Sequence, residues 1–215
     1  MNRMLKILFF GLVVRPIVLL ALGLNIGNRV KLPRGGPAVI AANHNSHLDT
    51  MVLMSLYPLK MVHLIRPVAA EEYFMKNKAL AWFSLNVIGV IPLSRMFSKD
   101  VDQLFAGCRS ALDAGDILII FPEGSRGQPG KITKLKRGLC YLLQGRKDTL
   151  VTPVVMHGLG KALPKGEALL VPFNCDVIIG DSIAVSDDSK GFMNNLSEVF
   201  ENLAQQCLTG SHYEN

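Results

Sequence analysis

Apolar segments bounded by glycine and proline alternate along the chain with segments of helical periodicity. Short apolar runs between turn signals are typical of buried strands, and apolar positions three and four residues apart are typical of helices. The predicted strands are residues 38–42, 61–70, 90–94, 116–121, 150–157 and 168–180. The predicted helices are residues 46–57, 71–88, 99–114, 137–145 and 197–208. This alternation predicts that residues 31–215 form a single α/β domain with a mixed, largely parallel central sheet flanked by helices.

The beginning of the sequence is its most hydrophobic part, with two apolar runs, Ile7–Val14 and Ile17–Leu24, separated by Arg15 and Pro16. A spanning helix needs about 20 mostly apolar residues, and an arginine near the bilayer centre costs roughly 2.5–3.5 kcal/mol. Proline also interrupts helical hydrogen bonding. We therefore expect residues 1–30 to form two short membrane-associating helices in one leaflet, with basic side chains at the level of the lipid head groups. A single span and a cleaved signal peptide are the alternatives.

The composition is apolar, with 49% hydrophobic and only 19% charged residues, which favours a relationship with membranes. The first 60 residues contain seven basic side chains and one acid, whereas the region from Asp181 onward contains six acids and one base. A basic amino-terminal half suits anionic lipid or a phosphorylated ligand. We expect no nucleic-acid partner, because no stacking aromatics or recognition helix accompany the charge. The four cysteines form no Cys-x-x-Cys pair and are typical of buried thiols in a reducing compartment.

Three polar clusters lie at the ends of predicted strands. They are NHNSHLD at residues 43–49, PLSR at residues 92–95 and PEGSRG at residues 122–127. In open α/β sheets, ligands bind beyond the carboxyl ends of the strands. We therefore expect the three clusters to converge on one site.

The first cluster combines His44 with Asp49 across a predicted strand-to-helix turn. An imidazole oriented by a carboxylate can take a proton from a hydroxyl group. No serine lies in a Gly-x-Ser-x-Gly elbow, so the nucleophile would be a hydroxyl of the substrate. The spacing of Ser46 and Asp49 also matches a helix capping box, which does not exclude the dyad. A zinc site formed by His44, His47 and Asp49 is less favoured, because no well-separated second pair of ligands is evident.

The cluster PEGSRG offers two flexible glycines, a carboxylate and the guanidinium group of Arg126, which suits phosphate or carboxylate. An ordinary β-turn with a solvated salt bridge is the alternative. Arg95, Lys136 and Arg137 could bring further cations to the same place. Together, four cations around one polar cluster predict a phosphate pocket.

The segments NHNSHLD, GVIPLSR, FPEGSRG and TPVVMHG resemble, in order and separation, the four sequence blocks of the lysophosphatidic acid acyltransferase family. This family belongs to the glycerolipid acyltransferase superfamily, which is marked by His-x-x-x-x-Asp and Glu-Gly-Thr-Arg. The resemblance extends from Ala38 to Gly158 and implies a glycerol-3-phosphate-acyltransferase-like fold. The chain departs from the pattern at Ser125, where threonine is usual, and in IPLSR, where an aromatic residue and an acid commonly precede the arginine.

The resemblance also implies roles for the matching residues. His44 would be the general base and Asp49 its partner, and Arg95 and Arg126 would hold the phosphate of the acyl acceptor. The implied substrate-binding residues are Arg95, Glu123, Gly124, Ser125, Arg126, Lys136 and Arg137. Among them, the glutamate and glycine of the third block would shape the acceptor site, and we expect His47 to pack beside the pocket or line it.

The activity implied by the resemblance is the transfer of a fatty acyl group to the sn-2 hydroxyl of lysophosphatidic acid, which gives phosphatidic acid. Acyl-CoA or acyl-carrier protein would be the donor, and neither a metal nor a prosthetic group is expected. The protein would act on the phospholipid surface at the cytoplasmic face of the inner membrane, anchored by its N-terminal segment. The alternatives are an acyltransferase for lysophosphatidylglycerol-type lipid, lyso-ornithine lipid or glycerol-3-phosphate, a non-catalytic lipid-binding protein of the same fold, and a metal-dependent phosphoesterase.

Overall fold

The computed structural model describes residues 2–94, 100–128, 131–162 and 173–209. Within these ranges, eight strands form one sheet. The strands are β1 (Leu22–Gly27), β2 (Ala38–Ala42), β3 (Ile65–Ala70), β4 (Ile91–Leu93), β5 (Ile117–Ile120), β6 (Leu150–His157), β7 (Phe173–Ile179) and β8 (Ile183–Ala184). Their order across the sheet is β1-β7-β6-β2-β5-β3-β4, and β8 pairs with β6.

The five strands from β6 to β4 in this order run parallel to one another. Strands β7 and β8 are antiparallel to β6, and β1 is parallel to β7. This arrangement confirms the predicted mixed, largely parallel sheet. All residues of the central strand β2 are buried, which explains why its sequence, AVIAA, is apolar without alternation.

Helices cover both faces of the sheet. They are α1 (Arg3–Phe9), α2 (Arg15–Ala21), α3 (Leu48–Ser55), α4 (Lys78–Phe83), α5 (Val101–Asp113), α6 (Gly138–Leu143), α7 (Leu159–Ala162) and α8 (Ser189–Ala204). Successive residues of a strand point to opposite faces. In β2, Ile40 accordingly packs into the core that includes α2 and α3, whereas Val39 packs into the core that includes α5, α6 and α8.

The first strand and the last helix differ from the predicted elements. Residues 22–27 were expected within the helical N-terminal segment, but they form β1, because each of them pairs in register with a residue of β7. Helix α8 begins at Ser189 rather than at residue 197, since the side chain of Asp188 caps it by accepting from the N–H of Lys190. Residue 99 of one predicted helix and residues 168–172 of one predicted strand lie outside the described residues.

The predicted helix at residues 71–88 is divided into three parts. It consists of a 3-10 turn at Glu71–Tyr73, helix α4, and a π-helical turn at Ser84–Ile88. The side chain of Asn77 accepts from two backbone N–H groups and starts α4. The 3-10 turn therefore directly follows β3 and forms part of the candidate site.

Residues 3–21 form one helical run, in which a π-helical turn at Phe10–Val14 joins α1 to α2. This turn directly precedes Arg15 and Pro16, and Arg15 donates its N–H to the carbonyl of Phe10. Proline has no N–H of its own, so the wider turn accommodates it without ending the helical run. No helix in the described part of the chain is long and apolar enough to cross a membrane.

Three basic side chains of the N-terminal segment are directed into the protein. Lys6 is fully buried and donates from Nζ to the carbonyl of Ile65 at 2.7 Å. Arg15 and Arg29 donate to the backbone carbonyls of residues 56–57, at the C-terminal end of α3. A helix C-terminus carries partial negative charge and is stabilised by cations. The expected location at the lipid head groups is therefore wrong for Lys6 and Arg15, because these cations bind protein carbonyls instead.

The burial of Lys6 predicts a specific pH dependence of stability. Burial, with a smaller effect of the charge of Arg66, lowers the pKa of Lys6 from 10.5 to about 7. Between these values the unfolded chain binds more protons than the folded one, so the free energy of unfolding rises with pH, by up to about 1.4 kcal/mol per pH unit. We expect chemical denaturation to show this rise in the wild type and its loss in Lys6→Met. Lys190→Met, at an exposed position, is the control, and equal slopes for all three proteins would contradict the prediction.

Candidate active site

His44 and Asp49 face each other across the turn between β2 and α3. His44 Nδ1 lies 2.9 Å from Asp49 Oδ2, and the Asp49 side chain is only 1% exposed, whereas the His44 side chain is 21% exposed. A carboxylate can only accept, so His44 Nδ1 carries the proton and Nε2 keeps its lone pair. This is the arrangement that a general base and an orienting carboxylate require.

The same carboxylate oxygen starts helix α3. Asp49 Oδ2 accepts from the backbone N–H groups of Asn45 at 2.7 Å and Ser46 at 2.9 Å, and Ser46 Oγ accepts from the N–H of Leu48 at 3.2 Å. The bond from the Ser46 N–H to the acid is one half of a capping box. The serine hydroxyl differs from that motif, since it binds Leu48 rather than the N–H of Asp49. Helix capping and the dyad thus share one carboxylate.

Glu123 holds the backbone of His44 in place. Its carboxylate is buried, and Oε1 accepts from the His44 N–H at 2.8 Å. Its other oxygen, Oε2, accepts from the N–H of Thr133 at 3.0 Å and from its hydroxyl at 2.5 Å. On the other side, Gly127 donates its N–H to the His44 carbonyl at 2.9 Å. The loop after β5 therefore fixes the peptide groups on both sides of the base.

Phe121 and Asn43 support the position of His44 in different ways, and the sequence analysis gave neither of them a role. Phe121 stacks on the His44 ring, with centroids 4.0 Å apart and an interplanar angle of 18°. Asn43 is buried, and its amide donates to the carbonyl of Met156 at 2.8 Å and accepts from its N–H at 2.7 Å. The asparagine thereby ties the end of β2 to β6. Phe121 had a usable signal, because it ends the strongest predicted strand.

Arg126 lies beside the dyad and contacts Tyr73. It donates from Nη2 to the Tyr73 hydroxyl, and its Cζ is 5.3 Å from the centroid of the tyrosine ring. The same hydroxyl lies 3.1 Å from His47 Nε2. Among the described residues, no carboxylate lies within ion-pair distance of Arg126. A partly buried guanidinium without a counter-charge is suited to an anionic ligand.

Gly124 allows the side chain of Lys136 to lie across the loop. Its φ is +74°, and a Cβ added there would lie 2.9 Å from Lys136 Nζ and 3.0 Å from Lys136 Cδ. The Lys136 N–H also donates to the Pro122 carbonyl at 2.8 Å. The structure therefore places this lysine on the loop that carries Arg126.

The remaining predicted residues are less closely tied to the dyad. Ser125 is exposed, and Arg137 is exposed at the start of α6, where its carbonyl accepts from Cys140 and Tyr141. Arg95 lies outside the described residues.

A metal site formed by His44, His47 and Asp49 finds no support in the geometry. His44 Nδ1 is bound to Asp49, and His47 Nε2 is bound to Tyr73. Within the described ranges, no group of three or more His, Cys, Asp and Glu side chains is arranged to hold a metal ion.

Comparison with known proteins identifies the class to which this fold and site belong. The sequence model of the Acyltransferase family matches residues 23–157, which is more than half of the chain and includes the dyad and the loop after β5. The chain therefore belongs to the acyltransferase family.

Within that family, the chain is similar to 1-acyl-sn-glycerol-3-phosphate acyltransferases. It is 30% identical over 158 residues to the chloroplastic LPAT1 of Arabidopsis thaliana, which covers 73% of this chain and 42% of that protein. It is 28% identical over 148 residues to the human alpha form, covering 67% of this chain and 49% of that protein. It is 31% identical over 122 residues to the Helicobacter pylori enzyme, covering 56% of this chain and 48% of that protein. The chain thus spans less than half the length of these relatives.

A solved structure has the same fold. It is that of PlsC, the 1-acyl-sn-glycerophosphate acyltransferase of Thermotoga maritima, with a TM-score of 0.74 and 19% sequence identity. The match covers 98% of this chain and 80% of that one. This likeness extends the agreement in fold to nearly the whole chain.

The contacts of Glu123 predict its contribution to stability. In Glu123→Gln, the amide has one acceptor oxygen, so it cannot accept from both His44 and Thr133. We expect the free energy of unfolding to fall by about 1.5–3 kcal/mol, as measured by denaturant titration. Glu198→Gln, at an exposed position on α8, should change it little. A Glu123→Gln protein as stable as the control would contradict this role.

Proposed function

We propose that the protein is an acyltransferase that esterifies the sn-2 hydroxyl of lysophosphatidic acid and so forms phosphatidic acid. The donor would be a fatty acyl thioester, either acyl-CoA or acyl-carrier protein. The observation that carries this proposal is the position of Arg126, a guanidinium without a carboxylate partner in the described part of the chain, beside the His44–Asp49 dyad. The names of the relatives support the same acceptor.

The spacing of base and cation suits this acceptor. In lysophosphatidic acid, the phosphate is attached to the carbon next to the one that carries the free hydroxyl, so a base and an anion site must be close neighbours. Gly127 donates its N–H to the His44 carbonyl. Arg126 is the residue directly before Gly127, so the same loop contact keeps its backbone near the base. Lys136, on the same loop, would add a second cation for the phosphate.

The reaction follows from the arrangement of the dyad. His44 Nε2 takes the proton of the acceptor hydroxyl while its oxygen attacks the thioester carbonyl, and Asp49 balances the charge of the imidazolium. The tetrahedral intermediate then expels the thiolate, which receives the proton from His44. General-base catalysis contributes about 10²–10⁴-fold, and holding both substrates in place contributes a further 7–11 kcal/mol or so.

A membrane surface would be reached through the outer face of the N-terminal helical run. One face packs on the core through Phe10, Val14 and Val18, whereas Leu19 and Leu20 on the other face are 76% and 87% exposed. Further exposed apolar residues on this run are Met4, Leu8, Leu12 and Ile17. A contiguous exposed apolar surface of this kind is typical of a protein or membrane contact.

The C-terminal end of α2, with Leu19 and Leu20, lies at the same edge of the sheet as the dyad. Helix α2 leads directly into the start of β1, which pairs with the start of β7, and β7 begins beside the carboxyl end of β6. The carboxyl ends of the parallel strands carry His44 and the loop after β5. An acceptor held in the leaflet that faces the protein would therefore reach the base without leaving the lipid. We place the protein at the cytoplasmic face of the inner membrane, a reducing compartment that suits four buried cysteines.

Catalysis by the dyad is tested with purified protein in detergent. His44→Ala should lower kcat about 10²–10⁴-fold, because it removes the base. His63→Ala, which removes another partly buried imidazole before β3 at the opposite edge of the sheet, is the control. Near wild-type acyl transfer by His44→Ala would overturn the mechanism.

The acceptor is tested with the same preparation. Lysophosphatidic acid, lysophosphatidylglycerol, lyso-ornithine lipid and glycerol-3-phosphate are supplied with one radiolabelled acyl-CoA. A preference for another acceptor would overturn the proposed substrate, and a wild type that acylates none of them would favour the non-catalytic lipid-binding alternative.

Membrane association is tested with phosphatidylglycerol-containing vesicles. Leu19→Glu combined with Leu20→Glu should lower the partition coefficient at least about tenfold, because two leucines no longer enter the apolar interface. Val30→Glu changes a residue that is 78% exposed beyond the end of β1, at the opposite edge of the sheet, and should have little effect. If the Leu19→Glu, Leu20→Glu protein and the Val30→Glu protein bind the vesicles equally well, this surface is not the membrane contact.

A further inference from the structure

The hydroxyl of Tyr73 joins two side chains of the site that the proposed reaction leaves unexplained. Tyr73 ends the 3-10 turn after β3 and is 54% exposed. Its hydroxyl accepts from Arg126 Nη2 and lies 3.1 Å from His47 Nε2. The phenol thus links an arginine after β5 to a histidine at the start of α3.

One arrangement of protons satisfies all three groups. A guanidinium can only donate, so the phenol oxygen accepts from Arg126 and its own proton is free for His47 Nε2. That nitrogen accepts only when the imidazole is neutral. Burial, followed by the positive charge of Arg126, lowers the pKa of His47, which keeps it neutral at pH 7. Arg126 therefore leaves the Tyr73 proton available for His47, and the neutral His47 ring can accept it.

Packing does not account for Tyr73. Its neighbour Phe74 is 4% exposed and fills the core, whereas more than half of the Tyr73 surface faces solvent. The contacts of Tyr73 are with Arg126 and His47, including the ring face below the guanidinium and a ring distance of 5.7 Å to His47. This side chain is therefore placed for the cation rather than for the core.

We propose that Tyr73 is a positioning residue that holds the Arg126 guanidinium in its binding orientation before the acceptor arrives, and so favours acceptors that carry a phosphomonoester. The inference rests on the proposed function, because it assigns the acceptor phosphate to Arg126. A long side chain without a carboxylate partner would otherwise be ordered only on binding, at the expense of affinity. Tyr73 removes this cost while leaving the other guanidinium N–H groups available to the ligand.

The test compares Tyr73→Phe with the wild type in acyl transfer. The variant keeps the ring but loses both hydrogen bonds. We expect the KM for lysophosphatidic acid to rise about three- to tenfold, with kcat and the KM for acyl-CoA within about twofold of the wild type, because only acceptor binding is affected. Tyr141→Phe is the matched control, since Tyr141 is 46% exposed on α6 and its hydroxyl forms no hydrogen bond among the described residues. An unchanged acceptor KM, or a fall in kcat alone, would overturn the proposal.

A double-mutant cycle separates positioning from general structural damage. Arg126→Lys keeps a positive charge but loses the planar fork that Tyr73 orients. If Tyr73 acts through Arg126, adding Tyr73→Phe to Arg126→Lys should raise the acceptor KM no further. Full additivity of the two effects would contradict the inference.

Binding of a simple phosphomonoester distinguishes failure of this inference from failure of the proposed function. Calorimetric titration with glycerol-3-phosphate requires no turnover, and its Kd should rise in Tyr73→Phe by the same factor as the acceptor KM. If the wild type acylates a different lipid yet shows this shift in Kd, the proposed acceptor fails and the role of Tyr73 stands. If the wild type acylates lysophosphatidic acid and the Kd is unchanged in Tyr73→Phe, the role of Tyr73 fails alone. A wild type that does not bind the phosphomonoester overturns the role of Tyr73, and one that in addition fails to acylate lysophosphatidic acid overturns both.

Discussion

One oxygen of the Asp49 carboxylate accepts from the His44 ring and from the backbone N–H groups of Asn45 and Ser46. The side chain is almost fully buried, so these donors and the positive end of α3 replace the water that would otherwise solvate its charge. The three contacts hold the turn between β2 and α3 together, and the bond to Nδ1 leaves His44 Nε2 without a partner on Asp49. The start of the helix, the tautomer of the base and its accessibility are consequences of one interaction.

The sheet register explains why a second carboxylate meets the same histidine. Ala41 of β2 is opposite Ile120 of β5, and His44 and Glu123 each follow three residues later. Because the two strands are parallel, residues at the same distance after each strand lie side by side. This explains the 2.8 Å contact between the His44 N–H and Glu123. The loop that carries Arg126 is thereby fixed relative to the base. Neighbouring parallel strands thus convert two distant sequence clusters into one site.

The strands, and the edge of the sheet at which their polar clusters meet, could be predicted from the sequence. The register between the strands and the long-range partners of the site residues could not. Short apolar runs between turn signals were sufficient to predict β2, β5 and β6, because these strands are buried on both faces. Strand β1 was missed, since the apolar sequence before it continues from a helix and its pairing partner, β7, lies far away in the chain. Tyr73 and Thr133 were missed for a related reason. Their roles depend on contacts with Arg126 and Glu123, and no local spacing signals such contacts.

The N-terminal segment is tied to the candidate site through the two ends of α3. The beginning of this helix carries Asp49, and the carbonyls of the two residues directly after it, Leu56 and Tyr57, accept from Arg29 and Arg15. Opposite charges at opposite helix ends each complement the helix dipole, so the same eight-residue helix is stabilised from both sides. Lys6 adds a buried bond from α1 to the start of β3. Lys6, Arg15 and Arg29 are therefore committed to protein carbonyls, and the membrane contact proposed above would rest on the exposed leucine side chains rather than on these three residues.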